Sequence, residues 1–228
     1  MVDDEQVQDV TSKSWSVWTA VGTVAAGFAF LIGTLAVMIT LGPSAYSSLH
    51  LSSAEAAAAN TIVASAVSVI AGYLLARMLV VSGPREFFLS IAWRPSFSRI
   101  VLAMLLGFCM TILTRFISTG RLDNMVSRDI HRNLFFALLF LGTIVMQPFA
   151  EEMYFRGILF SGLASKLNPF LSICIVTLAF VLGHVQHRWI VLPVGIVLGL
   201  VRLFTKSTAN CFALHAAYNL GILFWGIR

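Results

Sequence analysis

Charged residues are scarce in this sequence: only 11% of its 228 residues are Asp, Glu, Lys or Arg, whereas 58% are hydrophobic. A soluble domain carries roughly 25% charged residues, so the composition excludes an ordinary water-soluble globular protein and indicates a membrane protein. The basic residues fall mostly between apolar runs and form no aromatic-interleaved patch. The net charge of +5 therefore does not indicate nucleic-acid binding, and we expect a lipid bilayer as the partner.

Paired cysteines are also missing. Cys109, Cys174 and Cys211 all lie in apolar runs without paired spacing, so the sequence predicts small core side chains and no disulfide framework.

Long hydrophobic runs make up most of the chain. A membrane-spanning helix needs about 20 predominantly apolar residues, and seven candidate runs occur, at 15–41, 56–81, 100–117, 134–163, 170–185, 190–204 and 209–225. The predicted fold class is therefore an all-α, polytopic membrane helical bundle of about seven transmembrane helices. Before it, residues 1–14 are a polar, acidic tail without the basic segment of a secretory signal, so we expect the first span to be uncleaved.

Orientation follows from the basic residues in short loops. The first loop, 42–54, has no Lys or Arg, whereas the second carries Arg85, Arg94 and Arg99. This distribution predicts a cytoplasmic N-terminus and second loop, although the basic residues of the polar stretch 121–132 weigh against it. We expect a multi-pass protein of the cell membrane, and the compact chain favours a bacterial plasma membrane.

Ionisable residues within the apolar runs are concentrated after residue 145. The segment 146–157, MQPFAEEMYFRG, holds Glu151, Glu152 and Arg156; FVLGH ends at His184, and LHAAYN contains His215 and Asn219. An ionisable residue inside a span is costly and indicates a functional site by default. The predicted chemistry therefore lies in the last four helices.

Helical spacing separates the two glutamates. Glu152 and Arg156 are four residues apart, so they share a face and are expected to form an ion pair. Glu151 lies about 100° around the helix axis and lacks that arginine as a direct partner. One glutamate is then structural and the other is available as a general base. The alternative is that both charges only fix helix packing.

A helical hairpin would bring a histidine to Glu151. Glu151 lies 15 residues before Lys166, and His184 lies 15 residues after Pro169. If 166–169 is the turn, both side chains lie about 22 Å from it and can face each other. Phe180, one turn before His184 on the same face, is expected to wall off the site.

His215 and Asn219 also share a helix face. An imidazole and a carboxamide supply hydrogen-bond donors suited to a developing oxyanion, although such a pair also serves to join two membrane helices. Counting residues along straight helices that cross the membrane up and down places His215 and His184 at different depths in the membrane. The two depths agree only if the segment around Pro193, Gly195 and Gly199 bends or re-enters, and we expect that it does.

Taken in order, EEMYFR, FVLGH and HAAYN resemble the pattern EExxxR, FxxxH and HxxxN of the CPBP membrane protease family. This family includes the CAAX prenyl endopeptidases and the bacteriocin-processing and self-immunity (Abi-type) proteins. The resemblance covers roughly residues 133–225, within a predicted catalytic helical core at 133–228, while 15–132 supply further transmembrane helices and loops. Every fixed position of the pattern is occupied here: Glu151, Glu152, Arg156, Phe180, His184, His215 and Asn219.

The resemblance implies an intramembrane endopeptidase with a glutamate-activated water. From the matching motif positions of the family, the resemblance assigns activation of the water to Glu151 and His184 and stabilisation of the oxyanion to His215 and Asn219. Glu152 and Arg156 hold the local geometry, although the roles of the two glutamates are open to exchange. The implied partner is a membrane-bound peptide or protein substrate, whose identity and lipidation the sequence does not indicate, and the oligomeric state is equally open.

Three other interpretations compete with a metal-free protease. Glu151, His184 and His215 would supply a two-histidine, one-carboxylate zinc site, but HExxH is missing and no carboxylate is evident that would orient either histidine. We therefore expect no cofactor, with zinc as the alternative. A non-catalytic immunity or scaffold protein would use the same polar set for packing. A small transporter would relay protons, but the paired broken-helix halves of such a protein are not found.

Overall fold

The computed structural model describes residues 15–117, 133–184 and 188–226. Over these ranges the chain forms eight helices and no strand: α1 Val17–Ser48, α2 Ser53–Leu79, α3 Pro84–Ser90, α4 Phe97–Ile117, α5 Asn133–Ala164, α6 Pro169–Gly183, α7 Arg188–Thr205 and α8 Thr208–Gly226. Each of the seven predicted runs overlaps one of the seven longer helices, and the predicted all-α membrane bundle is confirmed.

Five of these helices, α1, α2, α4, α5 and α7, are long and apolar enough to cross a bilayer, and the chain is a multi-pass membrane protein. At about 1.5 Å per residue, the 15 residues of α6 extend only about 22 Å, less than the roughly 30 Å hydrocarbon core. The tail 1–14 and the polar stretch 121–132 lie outside the described residues. The predicted division at residue 132 and the orientation both stay predictions.

Helix α5 contains two π-helical stretches, Phe140–Met146 and Met153–Leu159, on either side of an α-helical turn, Gln147–Glu152. π-helical turns are rare and frequently occur at functional sites. The two adjacent glutamates therefore lie on a short regular turn between two widened ones.

Helices α1 and α2 reach the middle of α5 through glycines. A Cβ atom on Gly27 of α1 would lie 2.3 Å from the Tyr154 ring, and one on Gly72 of α2 would lie 2.7 Å from the Tyr154 hydroxyl oxygen. The Tyr154 hydroxyl donates to the Ser68 carbonyl at 2.6 Å. Close approach to this one tyrosine places both N-terminal helices beside the glutamates.

Helices α6 and α7 form a tightly packed hairpin. A Cβ atom on Gly199 would lie 2.6 Å from Ile173, and one on Gly195 would lie 3.0 Å from Thr177. Helix α7 runs without interruption from Arg188 to Thr205, with Pro193 inside it.

The cysteines are only partly core residues. Cys211 is buried on α8, as predicted, whereas Cys109 and Cys174 are exposed on the outer surface of the bundle. The prediction was wrong for these two because a membrane protein places apolar side chains against lipid as well as inside the bundle.

Candidate active site

Glu152 is the buried centre of a charged cluster. Its side chain is 0% exposed, and Oε1 accepts from Arg156 Nη1 at 3.1 Å. The same oxygen lies 2.8 Å from His215 Nδ1, which donates to it because a carboxylate only accepts. The predicted Glu152–Arg156 pair is therefore present, and it extends to α8 through His215. Arg156 also lies over the Phe180 ring, with its guanidinium carbon 4.4 Å from the ring centroid.

Glu151 faces both histidines. Its Oε1 lies 3.9 Å from His184 Nε2 and its Oε2 lies 3.8 Å from His215 Nε2. Its side chain is 17% exposed, and Oε1 accepts from Gln147 Nε2 at 2.8 Å. Oε2 is buried without a hydrogen-bond partner among the described residues. Glu151 is therefore the more accessible of the two carboxylates, and Oε2 of each glutamate is without a donor among the described residues.

The end of α6 orients His184. The backbone N–H of His184 bonds to the Val181 carbonyl, so the Phe180 carbonyl is left without its usual helical donor. His184 Nδ1 lies 2.8 Å from this carbonyl oxygen and donates to it, since a carbonyl cannot. In the neutral imidazole this leaves Nε2 as an acceptor directed at Glu151.

The predicted hairpin accounts for the facing of Glu151 and His184, since the chain turns between Ala164 and Pro169. His215 reaches the same place although α7 is unbroken from Arg188 to Thr205, and the expected bend near Pro193 stays a prediction. The His184 ring lies against Phe180, with centroids 4.5 Å apart, and the Phe180 ring lies 6.0 Å from His215. Phe180 thus packs between the two histidines as well as against Arg156.

Asn219 lies one turn beyond His215, with its amide directed at α5. Its Nδ2 donates to the Thr143 carbonyl at 3.0 Å. The structure therefore brings six of the seven predicted residues into one connected set, while it joins Asn219 to a backbone carbonyl of the first π-helical stretch.

A cavity of about 300 Å³ opens beside Glu151, Gln147 and His184. Helices α1 and α2 supply the opposite wall, which the motifs did not indicate. Helix α1 contributes large apolar side chains to this wall, and α2 contributes small side chains, three of which carry a hydroxyl. In chain order they are Phe28, Leu31 and Leu35 of α1 and Thr61, Ala64, Ser65 and Ser68 of α2. The N-terminal helices therefore enclose the site.

The gap between Glu151 and His184 has the dimensions of a water site. At 3.9 Å the two polar atoms are too far apart for a direct hydrogen bond, which needs about 2.7–3.2 Å. A water oxygen about 2.8 Å from each atom satisfies both. Such a water would donate one hydrogen to Glu151 Oε1 and the other to His184 Nε2.

The same three side chains fit a zinc ion less well. A tetrahedral zinc with ligands at about 2.0–2.1 Å would hold its nitrogen and oxygen ligands about 3.3 Å apart, less than the observed 3.8 and 3.9 Å. No group of three or more His, Cys, Asp or Glu among residues 15–117, 133–184 and 188–226 has metal-binding geometry. Glu152 does orient His215, however, so the expectation that no carboxylate would orient either histidine was wrong.

Two further polar residues belong to the site's surroundings. Gln147 contacts Glu151, and the i, i+4 spacing of the two residues was a readable signal. Arg202, in the last turn of α7, is buried and donates from Nε to the Arg156 carbonyl at 3.0 Å and from Nη2 to Ser161 at 3.3 Å. The sequence offered no signal for Arg202, because a basic residue at a helix end usually marks the membrane boundary.

Comparison with known families supports the resemblance. Residues 133–221 match a family model described as type II CAAX prenyl endopeptidase Rce1-like. This segment runs from the start of α5 into α8 and contains all seven motif residues, and the match confirms the family resemblance that the three motifs indicate. No match was found among curated proteins or solved structures.

Proposed function

We propose that this protein is an intramembrane endopeptidase that hydrolyses a peptide bond of a membrane-associated substrate with a water molecule activated by Glu151 and His184. The observation that carries the proposal is the 3.9 Å separation of Glu151 Oε1 from His184 Nε2 at the edge of a cavity. The family match supports a protease, because type II CAAX prenyl endopeptidases cleave peptide bonds.

Glu151 serves as the general base. It removes a proton from the water as the water oxygen attacks the substrate carbonyl carbon. The protonated carboxyl then delivers this proton to the leaving nitrogen as the carbon–nitrogen bond breaks, which regenerates the carboxylate. His184 Nε2 accepts the second hydrogen of the water and so aims the oxygen lone pair at the carbonyl.

Glu152 is unsuited to be the base. Its side chain is 0% exposed, and its Oε1 already accepts from both Arg156 and His215. Its role is to hold the His215 ring. With Nδ1 donating to Glu152, the ring directs Nε2 toward Glu151 and the reacting carbonyl, where an N–H on this atom stabilises the oxyanion.

Asn219 contributes to the oxyanion through the amide hydrogen that does not bond to Thr143. A carboxamide nitrogen carries two donors, and one of them is used at 3.0 Å. The bond to Thr143 fixes the amide beside His215, as an oxyanion donor requires. The reaction needs no cofactor, since the residues above supply the base, the water-orienting acceptor and the oxyanion donors.

The proposal is tested by profiling protein termini in membranes of cells that express the wild type, Glu151→Gln or Glu86→Gln. Glu86 lies on α3 and accepts from the Ser82 backbone N–H, so the same substitution there is a matched control. We expect new termini with the wild type and Glu86→Gln but not with Glu151→Gln. The sequences around these termini would name the substrate and show whether it carries a lipid.

Identical profiles for stably inserted wild type and Glu151→Gln would overturn the proposal. That outcome would favour the second candidate, a non-catalytic membrane scaffold, which the buried Glu152–Arg156–His215 cluster also suits because such polar contacts join membrane helices.

A further inference from the structure

The proposed base is itself held by a residue that the three motifs do not contain. Gln147 lies one turn before Glu151 on the α-helical turn between the two π-helical stretches, and its Nε2 donates to Glu151 Oε1 at 2.8 Å. Both side chains line the cavity. The contact is therefore made at the site itself and not on the lipid-facing surface of α5.

This contact selects the direction in which the carboxylate points. The terminal torsion of a glutamate is broad and roughly two-fold, so a carboxylate without a donor samples many orientations. Gln147 binds the oxygen that faces His184 Nε2, and this leaves Oε2 facing His215 Nε2 at 3.8 Å. One hydrogen bond thereby sets the direction of both oxygens.

A neutral donor also suits the charges around Glu151. The nearby ionisable groups are Glu152 and Arg156 on the same helix, His184 on α6 and His215 on α8. The α1 and α2 residues that line the cavity bring no acidic or basic side chain. A carboxamide orients Glu151 without adding another charge to this group of side chains.

We propose that Gln147 is a positioning residue, which fixes the Glu151 carboxylate so that Oε1 and His184 Nε2 share the attacking water. The inference rests on the proposed function. It predicts that loss of this donor lowers the rate of the chemical step and leaves substrate binding nearly unchanged.

The test compares two substitutions with different chemistry. Gln147→Met keeps the length and helix propensity of glutamine but has no donor. Gln147→Asn keeps the donor but is one methylene, about 1.5 Å, too short to reach Oε1. Leu141→Met, on the exposed face of the same helix, is the control. The substrate is a peptide that spans a cleavage site found by the terminal profiling.

We expect kcat to fall about ten- to a hundredfold for both Gln147 variants, as for other small misplacements of reacting groups, with KM within about twofold of the wild type. If only Gln147→Met retains activity, residue 147 has a packing role. If only Gln147→Asn retains activity, the site needs a polar side chain there but not the bond to Glu151. Either result would overturn the positioning role.

A measurement that needs no activity separates this inference from the proposed function. The measurement is a double-mutant cycle on thermal unfolding in detergent. It compares the wild type with Gln147→Met, Glu151→Met and the double variant. We expect the Tm loss of the double variant to be smaller than the sum of the single losses. Additive losses, with cleavage by the wild type intact, would overturn the inference alone. If the wild type cleaves nothing, the proposed function fails and the positioning role fails with it, whatever the cycle shows.

Discussion

Asn219 Nδ2 donates to the Thr143 carbonyl at 3.0 Å, and this carbonyl has lost its helical donors. The N–H of Gln147, four residues on, bonds to Gly142 instead. Residue 148, five residues on and the donor that a π-helical turn would use, is a proline without an N–H. The irregular backbone of α5 thus provides the acceptor that fixes α8 beside the glutamates.

This relationship predicts a coupling between Pro148 and Asn219. Asn219→Ala should lower the free energy of unfolding by about 1 kcal/mol, because it leaves the Thr143 carbonyl without a donor. In a Pro148→Ala background the new backbone N–H can bond to that carbonyl, so the cost of Asn219→Ala should be smaller. Chemical unfolding of the four proteins in detergent micelles measures both costs.

The control for this cycle is Asn168→Ala. Asn168 is the N-cap of α6 and accepts from the Phe170 N–H, so its loss costs roughly 1 kcal/mol by a route that does not involve Pro148. That cost should be the same in both backgrounds. Equal costs of Asn219→Ala in the two backgrounds would show that Pro148 does not control this contact.

The contacts that the sequence predicts lie within one helix or across a single turn. The Glu152–Arg156 pair follows from helical spacing, and the facing of Glu151 and His184 follows from counting residues to a single turn. The Asn219–Thr143 bond joins residues 76 positions apart and depends on the π-helical register of α5. Pro148 signals an irregular helix, but it does not show which carbonyl loses its donor.

The cavity wall was not predictable for a different reason. In a soluble protein the buried face of a helix is apolar and the exposed face polar. Helix α1 is apolar on both faces, since Ile32 is exposed while Leu31 and Leu35 line the cavity, so hydrophobic periodicity does not show which side packs toward α5. On α2 the pattern is the reverse of that of a soluble helix, because Ser65 lines the cavity while Leu74 is exposed.

The two adjacent glutamates should respond differently to the same substitution. Glu151→Gln should abolish cleavage with little change in Tm, because the substituted carboxamide can still accept from Gln147 and no charged partner within hydrogen-bond distance is lost. Glu152→Gln should lower Tm by several degrees or more. It leaves Arg156 buried without its carboxylate, and breaking a buried pair costs about 3–5 kcal/mol.

Thermal unfolding and cleavage assays on both variants decide the assignment. Loss of activity with an unchanged Tm for Glu152→Gln, together with a lowered Tm for Glu151→Gln, would show that the two roles are exchanged.

The close packing of α6 on α7 should be required for activity. Gly199→Ala would place a Cβ atom 2.6 Å from the Ile173 side chain, and such overpacking costs about 1–3 kcal/mol. Since His184 is the C-cap of α6, a shift of this helix should also reduce cleavage. Gly33→Ala on α1 is the control, because nothing lies within 4 Å of the added Cβ. We expect Gly33→Ala to match the wild type in Tm and rate, and a Gly199→Ala variant as active and stable as this control would contradict the prediction.

Proteolysis should persist without a metal ion. The nitrogen–oxygen separations of 3.8 and 3.9 Å around Glu151 suit a bridging water better than a tetrahedral zinc, which needs about 3.3 Å. Purified protein treated with EDTA and 1,10-phenanthroline should therefore cleave its substrate at the untreated rate. Elemental analysis should find well below one zinc per chain.

The orientation of His215 by Glu152 makes this test necessary, because metal-binding histidines are held in the same way. Inactivation by chelator, with recovery on adding zinc, would mean that Glu151 and the two histidines close around an ion by about half an ångström. In that case Glu151→Gln should also reduce the zinc content, whereas Gln147→Met, which removes no ligand, should leave the zinc content unchanged.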